Sequence, residues 1–92
     1  MKDNPLSTVK EQLKEALAYQ GDGNMVEAER IYRDCLGNYP YNADVLHISA
    51  IFFNQIKNYS YALDLVKRYY SEDSSNFLIH KLLGKVLYNM HS

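Results

Sequence analysis

The sequence is poor in the residues on which many functions depend. Its 92 residues include one cysteine, two prolines, four glycines and no tryptophan. A single cysteine cannot form an internal disulfide, and no apolar run reaches the roughly 18 residues that a membrane-spanning helix needs. The opening residues, MKDNPLSTVK, also differ from a secretory signal, which needs an apolar stretch after its first charges. The sequence therefore predicts a cytoplasmic protein with no membrane partner.

The sequence also has no large excess of positive or of negative charge. Ten Lys and Arg residues against eleven Asp and Glu residues give a formal net charge of −1. A protein that binds nucleic acid through its phosphates usually displays a basic stripe, whereas this chain has only the short basic pair Lys67-Arg68. We interpret that pair as a solvated helix face and predict no nucleic-acid partner.

What the sequence does contain is five amphipathic segments. Both prolines and three of the four glycines fall near the edges of these segments, and no run alternates apolar and polar residues between hairpin turns as a half-buried strand does. The predicted helices cover residues of about 5–20, 25–38, 43–56, 59–71 and 77–90. Because all connections are short, successive helices must be antiparallel neighbours. The predicted fold class is all-α.

The predicted helix starts carry capping residues. Asparagine precedes all five of them, as Asn4, Asn24, Asn42, Asn58 and Asn76. At this position the side-chain oxygen accepts a backbone N–H that the first helical turn leaves free. Glu27 follows Asn24 by three residues, which is the spacing of a reciprocal capping box.

The sequence also repeats itself at a spacing of 34 residues. The equivalent pairs are Asn24 and Asn58, Ala28 and Ala62, Ile31 and Leu65, and Tyr19 and Phe53. A small residue recurs at one point of the first, third and fifth helices, as Ala16, Ala50 and Gly84. Because a small residue lets a neighbouring helix approach closely, the pattern predicts one unit of two packed helices that is repeated along the chain.

This pattern resembles the tetratricopeptide repeat, a unit of two antiparallel helices over about 34 residues. The matching positions are Ala16, Tyr19, Ala28, Tyr32 and Pro40 in the first unit, Ala50, Phe53 and Ala62 in the second, and Leu83 and Gly84 in the third. The first unit departs from the family at Gln12, where the family has a large aromatic residue, and at Cys35, where it has a small one. The resemblance implies a right-handed solenoid of two repeats plus a fifth helix. It forms one domain over residues 1–92, with units over about 9–42 and 43–76 and half a unit over about 77–92.

In such an array the concave surface, lined by the first helix of each unit, binds segments of other proteins. The resemblance implies a protein-binding surface made of Leu13, Leu17, Gln20, His47, Ile51, Asn54, Gln55, Lys81, Lys85 and Tyr88. This surface grades from apolar to basic. For Leu13 and Leu17 the simpler interpretation is that they pack within the first helix pair.

The chemistry of the expected ligand follows from a further comparison with the family. Some members hold a terminal carboxylate with polar and basic side chains, and the matching positions here are Leu13, Leu17, Ile48, Leu78 and Leu82. A carboxylate held by aliphatic groups would lose hydration without gaining donors, at a cost of several kcal/mol. The expected ligand is therefore an amphipathic helix or peptide of a protein partner, with acidic residues near Lys81 and Lys85.

Candidates for catalysis are few. His47 and His80 are expected on the first helices of adjacent units, but no third ligand stands at metal-binding spacing. Cys35 takes a core position and is expected to be a buried, inert thiol. The segment GDGN lacks the Lys and Ser or Thr that complete a phosphate-binding loop. We predict no enzymatic activity, no metal and no cofactor.

The fifth helix has a wide apolar surface. Leu78, Ile79, Leu82, Leu83, Val86, Leu87 and Met90 span about half of its circumference at ~100° per residue. A terminal unit normally has a polar outer face, so part of this surface needs cover. We predict homo-oligomerisation through Leu78, Leu82, Leu83, Val86, Leu87 and Met90, with a partner protein or sequence of a longer parent as the alternatives.

Three functions are consistent with these features. The first is a non-catalytic adaptor or small chaperone, similar in kind to the small repeat-type chaperones of type III secretion. The second is an N-terminal repeat segment of a larger enzyme, such as the glycosyltransferases that carry such arrays. The third is a self-assembling scaffold.

Overall fold

The protein is all-α over residues 5–91, which are those that the structure, a computed structural model, describes. The helices are α1 (Pro5–Gly21), α2 (Met25–Asn38), α3 (Ala43–Gln55), α4 (Tyr59–Glu72) and α5 (Phe77–His91). All five predicted helices are confirmed, and each predicted boundary agrees to within one residue. The predicted cap Asn4 lies outside the described residues.

Asparagine side chains begin the later helices. The Oδ1 atoms of Asn24, Asn42 and Asn58 accept the backbone N–H three residues on, at 3.3, 3.0 and 3.4 Å. Asn76 acts in the same way at the start of α5, where its Oδ1 accepts the N–H of Ile79 at 3.2 Å. These caps occupy backbone donors that have no partner inside the helix.

Only one half of the predicted capping box at α2 forms. The carboxylate of Glu27 bonds to the Arg30 guanidinium at 2.9 Å. The backbone N–H of Asn24 donates instead to the carbonyl of Tyr19, at 2.9 Å. The tight turn after α1 brings that carbonyl within reach, so the Glu27 side chain is left to pair along its own helix.

The turns that follow α1 and α3 have the same backbone geometry. Gly23 and Lys57, which are 34 positions apart, both have positive φ angles, of 84° and 71°. The next residues, Asn24 and Asn58, have φ and ψ of −87° and 76°, and of −89° and 72°. The N–H of Asn58 donates to the carbonyl of Phe53 at 2.8 Å, which is the equivalent of the Asn24 bond. The sequence repeat is therefore matched by a repeat of turn structure.

The first of two compact units ends at Pro40 and contains α1 and α2, which pack against each other. Its described core consists of Val9, Leu13, Ala16, Ala28, Ile31, Tyr32, Cys35 and Leu36. The hydroxyl of Tyr32 donates to Oε1 of Gln20 at 2.9 Å, and the thiol of Cys35 donates to Oε1 of Gln12 at 3.5 Å. Gln12 and Cys35, at which the first unit departs from the repeat pattern, thus contact each other.

The second unit begins at Tyr41 and contains α3, α4 and α5. Helix α4 packs against both α3 and α5, and α3 and α5 meet along a shorter stretch. Its core consists of Val45, Leu46, Ser49, Ala50, Phe52, Phe53, Ala62, Leu65, Val66, Tyr69, Ile79, Leu82 and Val86. The Phe53 and Tyr61 rings meet edge to face, with centroids 4.6 Å apart.

The third small residue of the repeat behaves differently from the first two. Ala16 and Ala50 are fully buried. Gly84 is exposed, and a Cβ atom added there would meet nothing within 4 Å. Within the described residues, therefore, no other helix packs closely against Gly84.

Candidate functional site

A groove lies between α3 and α5 in the second unit. It has a volume of about 470 Å³ and is lined by His47, Ile51, Asn54, Leu78, Lys81, Leu82 and Lys85. The α3 residues stand at positions i, i+4 and i+7, and the α5 residues at i, i+3, i+4 and i+7. This spacing places each set on one face of its helix, so the two faces form opposite walls.

The groove continues into an adjoining cavity of about 740 Å³. The two cavities share Ile51, Asn54 and Lys85, and the second adds Gln55, Lys57, Tyr59, Gly84, Tyr88 and Asn89. The side-chain amide of Asn89 donates to Oδ1 of Asn54 at 3.0 Å and joins the two helices there. We call the two cavities together the α3–α5 groove.

Three aliphatic side chains are among those that line the groove. Ile51 is 44% exposed and Leu78 is 58% exposed, and both line it. Leu82, which is buried, also lines it. A single exposed aliphatic side chain is ordinary, but two in one concave site are typical of surfaces that exclude water when a partner binds.

The charged residues of the groove have one sign. Lys57, Lys81 and Lys85 line it, and no described lining residue is Asp or Glu. The Lys81 ammonium lies 5.9 Å from the centroid of the Phe77 ring. In the described part of the chain, the salt bridges are all within α2 and involve Glu27, Glu29, Arg30, Arg33 and Asp34.

Seven residues of the predicted protein-binding surface lie together in this groove. They are His47, Ile51, Asn54, Gln55, Lys81, Lys85 and Tyr88. The other three belong to the first unit. Leu17 is exposed, whereas Leu13 is buried in the helix pair and has almost no surface to offer a ligand. Gln20 holds the Tyr32 hydroxyl, so its side-chain oxygen has a structural partner.

The predicted self-association surface on α5 is smaller than the sequence suggests. Leu82 and Val86 are buried within the second unit and leave little surface for a partner. Leu78 lines the groove. Leu83 is half-buried, and Leu87 and Met90 are exposed.

No protein-family model matches this chain, and no curated protein matches it. Among the described residues, no helix has the length and apolar character needed to cross a bilayer.

Some groove residues were assigned elsewhere or missed by sequence reasoning. Leu78 was placed on the self-association surface, although its position one turn before Lys81 and Leu82 gives it the same helix face. Lys57 lies in the turn after α3, at the repeat equivalent of Gly23. This equivalence could have indicated from the sequence that Lys57 stands in a turn at the end of the α3 wall. Asn89 carried no signal, because its bond to Asn54 depends on how α5 packs.

His47 and His80, the two histidines considered as candidates for catalysis or metal binding, contact different residues. The ring of His47 meets the Tyr69 ring edge to face, with centroids 6.2 Å apart. His80 accepts a hydrogen bond from the Tyr70 hydroxyl at Nδ1, and its Nε2–H donates to the Ser74 carbonyl at 2.8 Å. Within the part of the chain that is described, no group of three His, Cys, Asp or Glu side chains is placed to hold a metal ion.

The buried hydroxyl and thiol of the first unit have perturbed acidities. Burial, together with the nearby Cys35, raises the pKa of Tyr32 to about 12. Burial, together with Asp34, raises the pKa of the Cys35 thiol. A raised thiol pKa disfavours the thiolate that a nucleophilic cysteine needs.

Proposed function

We propose that this chain is a non-catalytic protein-interaction module that holds an amphipathic segment of a partner in the α3–α5 groove. The observation that carries the proposal is the exposure of Ile51 and Leu78 inside one groove with a polar and basic rim. About half of each side chain is already covered, so burying the rest against a partner contributes roughly 0.7–1.7 kcal/mol each, before the costs of association. An adaptor or small chaperone is the class of protein that uses such a surface.

The dimensions of the groove favour a short helix as the bound segment. Its α5 wall runs from Leu78 to Asn89, which at 1.5 Å per residue is about 16 Å. A ligand helix of about three turns matches that length. Recognition through apolar anchors at i, i+3, i+4 and i+7 is an established way for a groove to bind such a helix.

We also propose that the two hairpins form a solenoid of the tetratricopeptide type. The matched turns at Gly23 and Lys57 support this proposal. Further support comes from the buried alanines at equivalent places, Ala16 with Ala50 and Ala28 with Ala62. A solenoid presents the first helix of each unit on one surface, which suits a binding function.

A pull-down experiment tests the proposed function. The purified protein is compared with a variant that carries Ile51→Glu and Leu78→Glu, and bound proteins are identified by mass spectrometry. We expect the captured partner to bind the variant about tenfold more weakly or worse, because the glutamates would be desolvated in an apolar site.

The matched control is Val26→Glu, which changes an exposed aliphatic residue of α2 that lies outside the groove. Circular dichroism checks that all variants keep their helix content. Capture that is unchanged by the groove substitutions, or lost equally in the control, would contradict the proposal.

A further inference from the structure

We infer that the segment bound in the α3–α5 groove is acidic, with carboxylates that pair with Lys81 and Lys85. This inference rests on the proposed function and specifies the chemistry of its partner. It starts from a local charge imbalance: the chain as a whole has a net charge of −1, yet every charged residue that lines the groove is a lysine.

The excess of positive over negative side chains extends along the whole of α5. The helix from Phe77 to His91 contains Lys81 and Lys85 and no Asp or Glu. In α2 the two arginines pair with carboxylates on the same helix, Arg30 with Glu27 and Arg33 with Glu29. In the described residues neither groove lysine of α5 forms such a pair.

The positions of the lysines specify the pattern of the ligand. Lys81 and Lys85 are one helical turn apart, so their stems start about 5–6 Å from each other. Two ligand carboxylates one turn apart match that spacing. Ile51 and Leu78 are available to the apolar face of the same ligand, and Lys57 adds a positive charge in the adjoining cavity.

An acidic peptide fits these features better than a nucleic acid does. Nucleic-acid affinity comes mainly from neutralising many phosphates, and the groove offers three lysines beside exposed aliphatic side chains. In a mixed apolar and basic site, charge chiefly selects the partner and speeds association, while apolar burial supplies affinity.

Selection from a displayed library of random 16-residue peptides tests the inference without assuming a ligand sequence. We expect peptides selected on the protein to be enriched in Asp and Glu at spacings of three or four, interleaved with apolar residues. The same selection on Lys81→Glu with Lys85→Glu should lose the acidic enrichment and favour Lys and Arg. A peptide selected on the original protein should bind this variant about tenfold more weakly, since two attractions become repulsions.

The control is Lys10→Glu with Lys67→Glu, which makes the same charge change at exposed positions of α1 and α4 that do not line the groove. It should select the same acidic peptides as the original protein. Acidic enrichment that the control loses equally would overturn the inference, because the effect would then be one of net charge.

The remaining outcomes separate the inference from the proposed function. Apolar peptides without acidic enrichment, still lost with Ile51→Glu and Leu78→Glu, would overturn the inference and leave the proposed function standing. No enrichment of any kind would overturn both. Displacement of a selected acidic peptide by a single-stranded oligonucleotide at equal charge concentration would also overturn the inference, because the groove would then bind anions generally.

Discussion

The hydroxyl of Tyr32 ties the two helices of the first unit together and also makes its stability depend on pH. Because burial raises the folded-state pKa from about 10 to about 12, the unfolded chain loses this proton at a lower pH than the folded one. The contribution of Tyr32 to the free energy of unfolding is fully present below pH ~10. It falls by ~2–3 kcal/mol as the pH rises toward ~12.

Denaturant unfolding at pH 9 and pH 11.5 checks this expectation. Tyr32→Phe should cost about 1 kcal/mol at pH 9, through the lost bond to Gln20, and should flatten the alkaline decline. Tyr41→Phe, at an exposed position, is the control and should leave the decline as it is. An equally steep decline in Tyr32→Phe would show that other groups cause it.

Ser49 presents a second residue-scale case. It is fully buried, and its Oγ has no hydrogen-bond partner among the described residues. A buried hydroxyl without a partner costs about 1–3 kcal/mol, and alanine is the better helix former. We expect Ser49→Ala to stabilise the protein by ~1 kcal/mol, measured by thermal unfolding.

The control for this substitution is Ser71→Ala, at an exposed position where the hydroxyl already donates to the Arg68 carbonyl. Its effect should stay within about 0.5 kcal/mol. A lower melting temperature for Ser49→Ala would indicate that the hydroxyl has a partner, and the prediction would then be wrong.

At the scale of elements, the turn between α3 and α4 is strained. Lys57 has a φ of 71°, a region that costs a non-glycine residue about 1–2 kcal/mol. Its repeat equivalent is Gly23, which adopts the same region at little cost. We expect Lys57→Gly to raise the free energy of unfolding by ~0.5–1 kcal/mol, after allowing for the greater freedom of glycine in the unfolded chain.

Lys57→Ala separates strain from charge, because it removes the ammonium group and keeps the Cβ atom. It should leave stability close to that of the original protein in urea unfolding. If both substitutions stabilise equally, relief of charge rather than of backbone strain is the cause.

At the scale of the whole molecule, the exposed side of α5 favours weak self-association. Leu83, Leu87 and Met90 stand at i, i+4 and i+7, and the last two are exposed. A contact of this size is small by the standards of stable dimers, so we expect dissociation constants of about 0.1–1 mM. Leu87→Glu with Met90→Glu should remove the concentration dependence of the mass in sedimentation velocity.

The control changes two exposed apolar residues elsewhere, Val26→Glu with Tyr41→Glu, and should leave the association unchanged. A protein that stays monomeric at millimolar concentration and binds no apolar dye would contradict this prediction. Such a result would leave the groove proposal untouched, because Leu87 and Met90 do not line the groove.

The helices and their starts could be predicted from the sequence because their causes are local. Asn42 and Asn58 cap the helix that follows through a backbone N–H three residues away, and the apolar stripes have the helical period. The 34-residue repeat is equally a property of the sequence, and the structure adds that its equivalent positions Gly23 and Lys57 share a positive φ angle. The expectation that one face of α3 and one of α5 contribute to a common surface came from the family resemblance, and those two faces supply the walls of the groove.

Tertiary packing decided which of the apolar and polar side chains remain available. Leu13 and Val86 are buried while Leu78 is exposed, although all three lie on apolar stripes, because a stripe does not reveal how far its neighbours cover it. The bond from Tyr32 to Gln20 and the contact between Gln12 and Cys35 join residues that are distant in sequence. Such contacts depend on the distance and angle between packed helices, which local periodicity does not fix.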